Sequence, residues 1–181
     1  MKKDFVNPFD RMLQGLAYWL AYRDVTCRNK VVEAVAVDEA FGILQTHLPV
    51  GYKVVREFNY KGIAPSFGNK YADLAIVNVN KDCECLIEFK LSDNTGGGYQ
   101  KDVLKLNAIK STYPNIDCCV VILYRKSCLI DEPHELVSSN GKANRSIVVV
   151  NKINTKVKRV FSALRSKTTN KMKRVICIEL V

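Results

Sequence analysis

The sequence has no apolar run long enough to cross a lipid bilayer. The longest uncharged stretch near its start, Met12 to Tyr22, has 11 residues, whereas a spanning helix needs about 20. Asp4 and Asp10 interrupt the basic start of the chain, and no convincing small-residue cleavage site follows. We therefore expect a cytoplasmic protein that does not enter a membrane.

Acidic residues are missing from the stretch between Leu136 and Ile178, which carries eleven Lys and Arg residues. Because the whole chain has a formal net charge of +10, this stretch holds all of the surplus positive charge. Such a concentration is typical of a phosphate-binding face. A merely solvated basic surface is the main alternative, and contact with an anionic membrane surface is a third. Nucleic acid is the partner that we expect.

Motifs for zinc or nucleotide binding are also missing. The seven cysteines lack the repeated two-residue spacing of a structural zinc site, and Cys83-Glu84-Cys85 does not provide it. Most of them lie in apolar runs, which predicts buried free thiols. The two histidines are isolated, and Gly96-Gly97-Gly98 lacks the Gly-Lys-Ser/Thr ending of a phosphate loop. No helix-turn-helix or zinc finger indicates how bases would be read.

The composition, with 48% hydrophobic and 25% charged residues, indicates one globular domain over residues 1–181. Helical and alternating apolar patterns follow one another along the chain, which predicts an α/β fold. A poorly patterned stretch covers 125–144. In chain order we predict helices at 7–20 and 30–47, strands at 52–60, 71–79 and 84–91, a helix at 99–112, strands at 117–124 and 146–151, a helix at 154–166 and a strand at 175–180.

Two charged residues lie near the end of the otherwise apolar strand predicted at 84–91. Side chains alternate between the faces of a strand, so Cys85, Ile87 and Phe89 would face the core. Glu88 and Lys90 would then point together to the opposite face. Charged groups at the end of a buried strand are costly unless they are paired or ligated, so we look for function here.

Asp73 is a single acid among apolar residues in the preceding strand. If the two strands form a hairpin about Asn80 to Asp82, Asp73 and Glu88 lie across from one another. Two such carboxylates repel each other unless a cation lies between them, and Mg²⁺ or Mn²⁺ prefers oxygen ligands. Lys90 would then lie beside the attacking water. The structural alternative is a surface salt bridge between Glu88 and Lys90, with Asp73 in a turn.

Asp73, followed fifteen residues later by Glu88-Phe89-Lys90, resembles the motif of the PD-(D/E)XK nuclease superfamily over roughly residues 30–125. The resemblance implies a restriction-endonuclease-like core, with a mixed central sheet flanked by helices. The layout is similar to that of archaeal Holliday-junction resolvases. An N-terminal helix and a basic strand–helix–strand extension would be added to it. Also implied are a Mg²⁺ ion, replaceable by Mn²⁺, on Asp73, Glu88 and the Phe89 carbonyl, and hydrolysis of DNA by an endonuclease.

Members of this superfamily often add an acid from the helix before the sheet. Glu39 lies 34 residues before Asp73, close to the spacing in the resolvases, and the helical pattern places it in an inward-facing stripe. We therefore favour Glu39 as a further catalytic residue and metal ligand. Glu33 is its competitor, and Glu57 is a weaker third choice.

Superfamily members often carry a glutamine or a lysine in the helix after the catalytic strand. Gln100 is the catalytic candidate here, although Leu104 departs from the Gln-x-x-x-Tyr form of the exonuclease branch. Basic residues of this helix and of the predicted C-terminal helix are candidate nucleic-acid contacts, with exposed helix lysine as the alternative for the first two: Lys101, Lys105, Lys158, Arg159 and Arg165.

Two other functions compete with a DNA endonuclease. One is a nuclease-fold DNA-binding subunit of a larger complex that has lost catalysis. The other is a nuclease-fold defence or toxin effector that acts on RNA. A homodimer would place two sites on a duplex, and the N-terminal helix with Trp19 could supply its interface, although packing on its own domain is favoured for that helix.

Overall fold

The computed structural model describes residues 1–26, 32–63, 70–92, 99–129, 147–150, 152–166 and 171–181. These residues form an α/β fold, as the sequence predicts. The helices are α1 (Lys3–Thr26), α2 (Glu33–His47) and α3 (Gln100–Thr112), with a short 3-10 helix at Tyr60–Gly62. The strands are β1 (Tyr52–Asn59), β2 (Tyr71–Asn78), β3 (Cys83–Ser92), β4 (Asp117–Leu129), β5 (Ile147–Val150), β6 (Ile153–Ser166) and β7 (Lys171–Leu180).

The seven described strands form one mixed sheet in the order β1-β2-β3-β4-β7-β6-β5. Strands β3 and β4 are parallel, and the other neighbours are antiparallel. A parallel pair needs a crossover connection, and α3 lies in the one between β3 and β4. The predicted hairpin between β2 and β3 is confirmed. The side chain of Asn78 accepts the backbone N–H groups of Asn80 and Asp82 within its turn.

Helices cover both faces of the sheet. On one side, called the α1/α2 face, α1 and α2 pack against Leu74, Ile87 and Phe89. On the other, called the α3 face, α3 packs against Leu86 and Val120. Residues from both helices of the first face, such as Leu16 and Leu44, are fully buried, so the sheet is covered over its central strands.

The helix predicted at 154–166 is wrong, because this segment is strand β6. Ile153, Thr155 and Val157 are buried in strict alternation. The pairing with β7 then shifts between Val157 and Arg159, and again between Leu164 and Ser166. An extra residue in a strand moves the following side chains to the opposite face. The resulting apolar spacing imitates a helical period.

Two predicted boundaries also move. Helix α1 begins at Lys3, so Pro8 lies inside the helix rather than at its start. Strand β4 continues to Leu129, five residues into the stretch that was predicted to lack regular structure. Its pairing with β7 shifts between Tyr124 and Cys128. The rest of that stretch, from residue 130 onward, lies outside the described residues.

The prediction of buried free thiols is confirmed for the described side chains Cys83, Cys85, Cys118, Cys119 and Cys177. The N-terminal helix packs on its own domain, and Trp19 packs partly buried against the core. None of the helices described is long and apolar enough to cross a membrane.

Candidate active site

In β1 and in β2 the alternation of side chains between the two faces of the sheet is interrupted at paired positions. This interruption positions the site. Glu57 has a backbone φ of 47°, a left-handed value that is uncommon outside glycine. It lies opposite Asp73, between the Arg56–Leu74 and Phe58–Ala72 pairs. The residue before Glu57, Arg56, lies against Phe41 of α2. The residue after it, Phe58, packs on the α3 face. The left-handed residue therefore turns the end of β1 toward α3.

Strand β2 loses its alternation at Asp73. Ala72 packs on the α3 face, whereas Leu74, two residues later, packs on the α1/α2 face. In a regular strand the two side chains would share a face. The side chain of Asp73, between them, reaches sideways, and its Oδ2 accepts the backbone N–H of Phe89 at 2.7 Å.

Strands β2 and β3 stop pairing and separate at this point, and the gap between Asp73 and Glu88 is called the fork. Their pairing runs from Val77–Cys83 to Leu74–Ile87, and the next pair along would be Asp73 with Glu88. Beyond the fork, side chains accept the N–H groups of β3. Asp73 accepts that of Phe89, and Glu33 Oε2 accepts that of Leu91 at 3.0 Å. At this end of β3, carboxylates thus accept the backbone hydrogen bonds that the carbonyl groups of a neighbouring strand would otherwise accept.

Glu88 lies buried in this fork, with an exposed fraction of 4%. Its Oε1 accepts the hydroxyl of Tyr60 and forms an ion pair with Lys105 Nζ at 2.6 Å. Burial raises the pKa of Glu88 to about 7, and the charge of Asp73 adds to the rise, while Lys105 and Tyr60 oppose it. Near neutral pH, this carboxyl therefore populates both its protonated and its ionised form.

Asp73 and Glu88 interact directly. Burial raises the pKa of Asp73, the Phe89 N–H and hydrogen bonding with Glu88 lower it, and the charge of Glu33 raises it. Two carboxyl groups held this closely are stabilised by a shared proton or by a cation between them. The structure thus brings together the two acids that the motif identified.

Two lysines and two further acids surround the pair. Lys90 Nζ lies 3.6 Å from Glu33 Oε2, and its side chain is one-third exposed. Lys105 also donates to the Tyr71 carbonyl at 2.9 Å. Burial raises the pKa of Asp102 on α3, and the charges of Lys90 and Lys105 oppose that rise. The site is a mixed cluster of acids and lysines at the mouth of the fork.

The donor set fits a hard divalent ion that keeps several water ligands. Among the described residues, no group of three or more His, Cys, Asp or Glu side chains is arranged to hold a metal ion. Mg²⁺, however, is commonly held by one or two carboxylates together with water. Asp73 and Glu88 supply two. Because the N–H and carbonyl of a strand residue point to the same edge, the Phe89 carbonyl faces the fork beside Asp73.

The predicted inward orientation of Glu39 is wrong, because its side chain is exposed on α2. The buried residues of this helix are Ala36, Val37, Ala40 and Leu44. At 100° per residue, this stripe lies about a quarter turn from the one that the sequence suggested, and Glu33 falls within it. Val32, which the sequence placed in the inward stripe, is exposed, and Ile43 is only half-buried. The competitor Glu33 therefore reaches the site, whereas Glu57 is exposed.

The other candidate residues lie in different settings. Gln100 and Lys101 are exposed at the start of α3. Two of the candidates, Lys158 and Arg159, lie on β6. Lys158 is paired with Glu179 at 2.9 Å, and Arg159 is paired with Asp10 at 2.8 Å. The side chain of Arg165 lies outside the described part of the chain. The structure therefore brings Lys105 to the site, and it does not bring Lys158 or Arg159 there.

The sequence reasoning missed two residues of the site. Asp102 precedes Lys105 by three residues, so helical spacing alone places them side by side and could have identified Asp102. Tyr60 has no such signal. It follows β1, is fully buried, and reaches Glu88 only because β1 turns over at Glu57.

Comparison with models of protein families, with curated proteins and with solved structures found no match for this chain.

Proposed function

We propose that this protein is a Mg²⁺-dependent nuclease with a restriction-endonuclease-like core, which hydrolyses phosphodiester bonds of DNA by internal cleavage. The observation that carries the proposal is the fork between β2 and β3. There, Asp73 and Glu88 meet, and Lys90, two residues further along β3, pairs with Glu33 at 3.6 Å. Asp73, Glu88 and Lys90 are the three residues that the PD-(D/E)XK motif identifies. Support also comes from the element order, in which three antiparallel strands, a helix and a parallel strand follow one another.

Each residue of the fork has a chemical part in this proposal. Asp73, Glu88 and the Phe89 carbonyl would hold the ion. A bound Mg²⁺ supplies Lewis-acid polarisation of the phosphoryl group and makes attacking water more acidic. Lys90 is one-third exposed, so its ammonium can reach both this water and the negative charge that develops on phosphorus. Glu33, 3.6 Å away, holds Lys90 toward the mouth of the fork.

Cleavage of supercoiled plasmid and of single-stranded DNA in Mg²⁺ or Mn²⁺ tests the proposal. We expect nicked and linear products from the wild type, a loss of rate of 100-fold or more in Asp73→Asn, and a similar loss in Lys90→Ala, on the order of 2.7–4 kcal/mol of transition-state stabilisation. Lys53→Ala is the matched control, because Lys53 is an exposed strand lysine remote from the fork. Absence of cleavage by the wild type, or full activity in Lys90→Ala, would refute the proposal.

A nuclease-fold module that binds DNA without cleaving it is the second candidate. The ion pair between Lys105 and Glu88 favours it, because a lysine ammonium already neutralises the more buried acid of the pair. This candidate predicts salt-sensitive DNA binding by the wild type, and equal binding by Asp73→Asn, with no product in either metal. RNA substrates included in the same assay identify an RNA-directed enzyme.

A further inference from the structure

We propose that Tyr60 is a positioning residue for the metal-binding carboxylate of Glu88. Its hydroxyl and the Lys105 ammonium together hold Oε1 of Glu88, so that Oε2 is presented to the ion. This inference rests on the proposed function.

The contacts at Glu88 are asymmetric. Tyr60 donates its hydroxyl to Oε1, and Lys105 Nζ lies 2.6 Å from the same oxygen. A carboxylate that accepts two strong donors on one oxygen cannot rotate without losing both of them. Hence the orientation of the carboxylate is fixed, and in the proposed site its other oxygen would face the ion beside Asp73.

The two groups that hold Oε1 also hold each other. The Lys105 ammonium lies 5.0 Å from the centroid of the Tyr60 ring, within range of a cation–π attraction. The backbone carbonyl of Tyr71 accepts a further hydrogen bond from Lys105 at 2.9 Å. Tyr60, Lys105 and Glu88 therefore form a closed triangle in which each side chain contacts the other two.

The chain maintains Tyr60 in this place with an unusual backbone conformation. Glu57 adopts its left-handed φ near the end of β1, and the following residues Phe58 and Tyr60 then pack on the α3 face. Continued alternation from Val54, which packs on the α1/α2 face, would direct Tyr60 away from Glu88. Left-handed residues cost free energy and are found preferentially at functional sites. Here the left-handed conformation of Glu57 places the Tyr60 hydroxyl against Glu88.

The test measures Mn²⁺ binding without substrate, by electron paramagnetic resonance of the free ion. Tyr60→Phe removes only the hydroxyl, and the ring still fills its fully buried site. We expect Mn²⁺ to bind about tenfold more weakly, the lower end of what is typical when a group that supports a metal ligand is lost. Incorporation of 4-aminophenylalanine at position 60 restores a donor and should restore affinity. Tyr113→Phe, also on the α3 face, is the matched control.

Asp73→Asn separates the two proposals. If Asp73→Asn loses Mn²⁺ binding while Tyr60→Phe binds as the wild type does, Tyr60 has no positioning role and the nuclease proposal stands. Weak binding by Tyr60→Phe that the amino analogue does not restore also overturns the role of the hydroxyl. Should Asp73→Asn bind Mn²⁺ as tightly as the wild type, the metal site and this inference are both wrong.

Discussion

Burial of Glu88 makes the stability of this protein depend on pH in an unusual direction. The pKa of Glu88 is about 7, against an ordinary value of 4.5. Between these values the folded protein keeps the proton and the unfolded chain does not. Acid therefore favours the folded state, and stability falls as pH rises through this window. At about 1.4 kcal/mol per pH unit, the loss amounts to roughly 3 kcal/mol by pH 8.

Urea unfolding at pH 5, 6, 7 and 8, followed by far-UV circular dichroism, measures this loss. Glu88→Gln keeps the shape of the side chain and cannot ionise, so most of the decline should disappear in this variant. Burial also raises the pKa values of Asp73 and Asp102, so these two groups contribute to stability in the same direction as Glu88. Glu39→Gln is the control, since Glu39 is exposed, and it should decline as the wild type does.

A wild-type stability that is level or rises between pH 5 and pH 8 would show that Glu88 ionises normally. A decline of the same size in Glu88→Gln would assign the effect to other groups.

Three further outcomes follow from the same contacts. Mn²⁺ should raise the melting temperature more at pH 8 than at pH 6, because the ion binds ionised carboxylates; an equal shift would argue against a site on Asp73 and Glu88. Lys105→Met should move the pH-dependent loss of stability to higher pH, since Lys105 lowers the pKa of Glu88, and urea unfolding across pH would detect this. Glu57→Gly should leave stability equal or higher by about 1 kcal/mol, whereas Glu57→Val should lower it by a similar amount, because a left-handed φ suits glycine and strains a β-branched residue; urea midpoints compare the two.

Local pattern was enough to predict most of the elements that carry the site. In β3, Cys85, Ile87 and Phe89 face α1 and α2, and Glu88 contacts Lys105 of α3, as alternation requires. The hairpin about Asn80 brings Asp73 to Glu88. Strand alternation and turn composition are properties of adjacent residues, so they can be read without knowledge of the partners.

The wrong prediction of a helix at 154–166 has a different origin, the irregular pairing of β6. Its two pairing shifts opposite β7 are absorbed by extra residues, and each shift changes which face the next apolar residue meets. Spacing alone cannot separate this arrangement from a helix, because the distinction depends on a neighbouring strand. The ion pairs of Lys158 and Arg159 with Glu179 and Asp10 likewise join residues that are distant in sequence.

Strand alternation alone predicts that an acid and a lysine, Glu88 and Lys90, share one face of a buried strand opposite Asp73. Contacts between segments distant in sequence select the residues that complete the site. Glu33 is chosen over Glu39 by the rotation of α2 against the sheet, and Tyr60 reaches Glu88 through a single backbone dihedral at Glu57. Helix rotation and strand twist depend on packing between distant segments, which a local period does not encode.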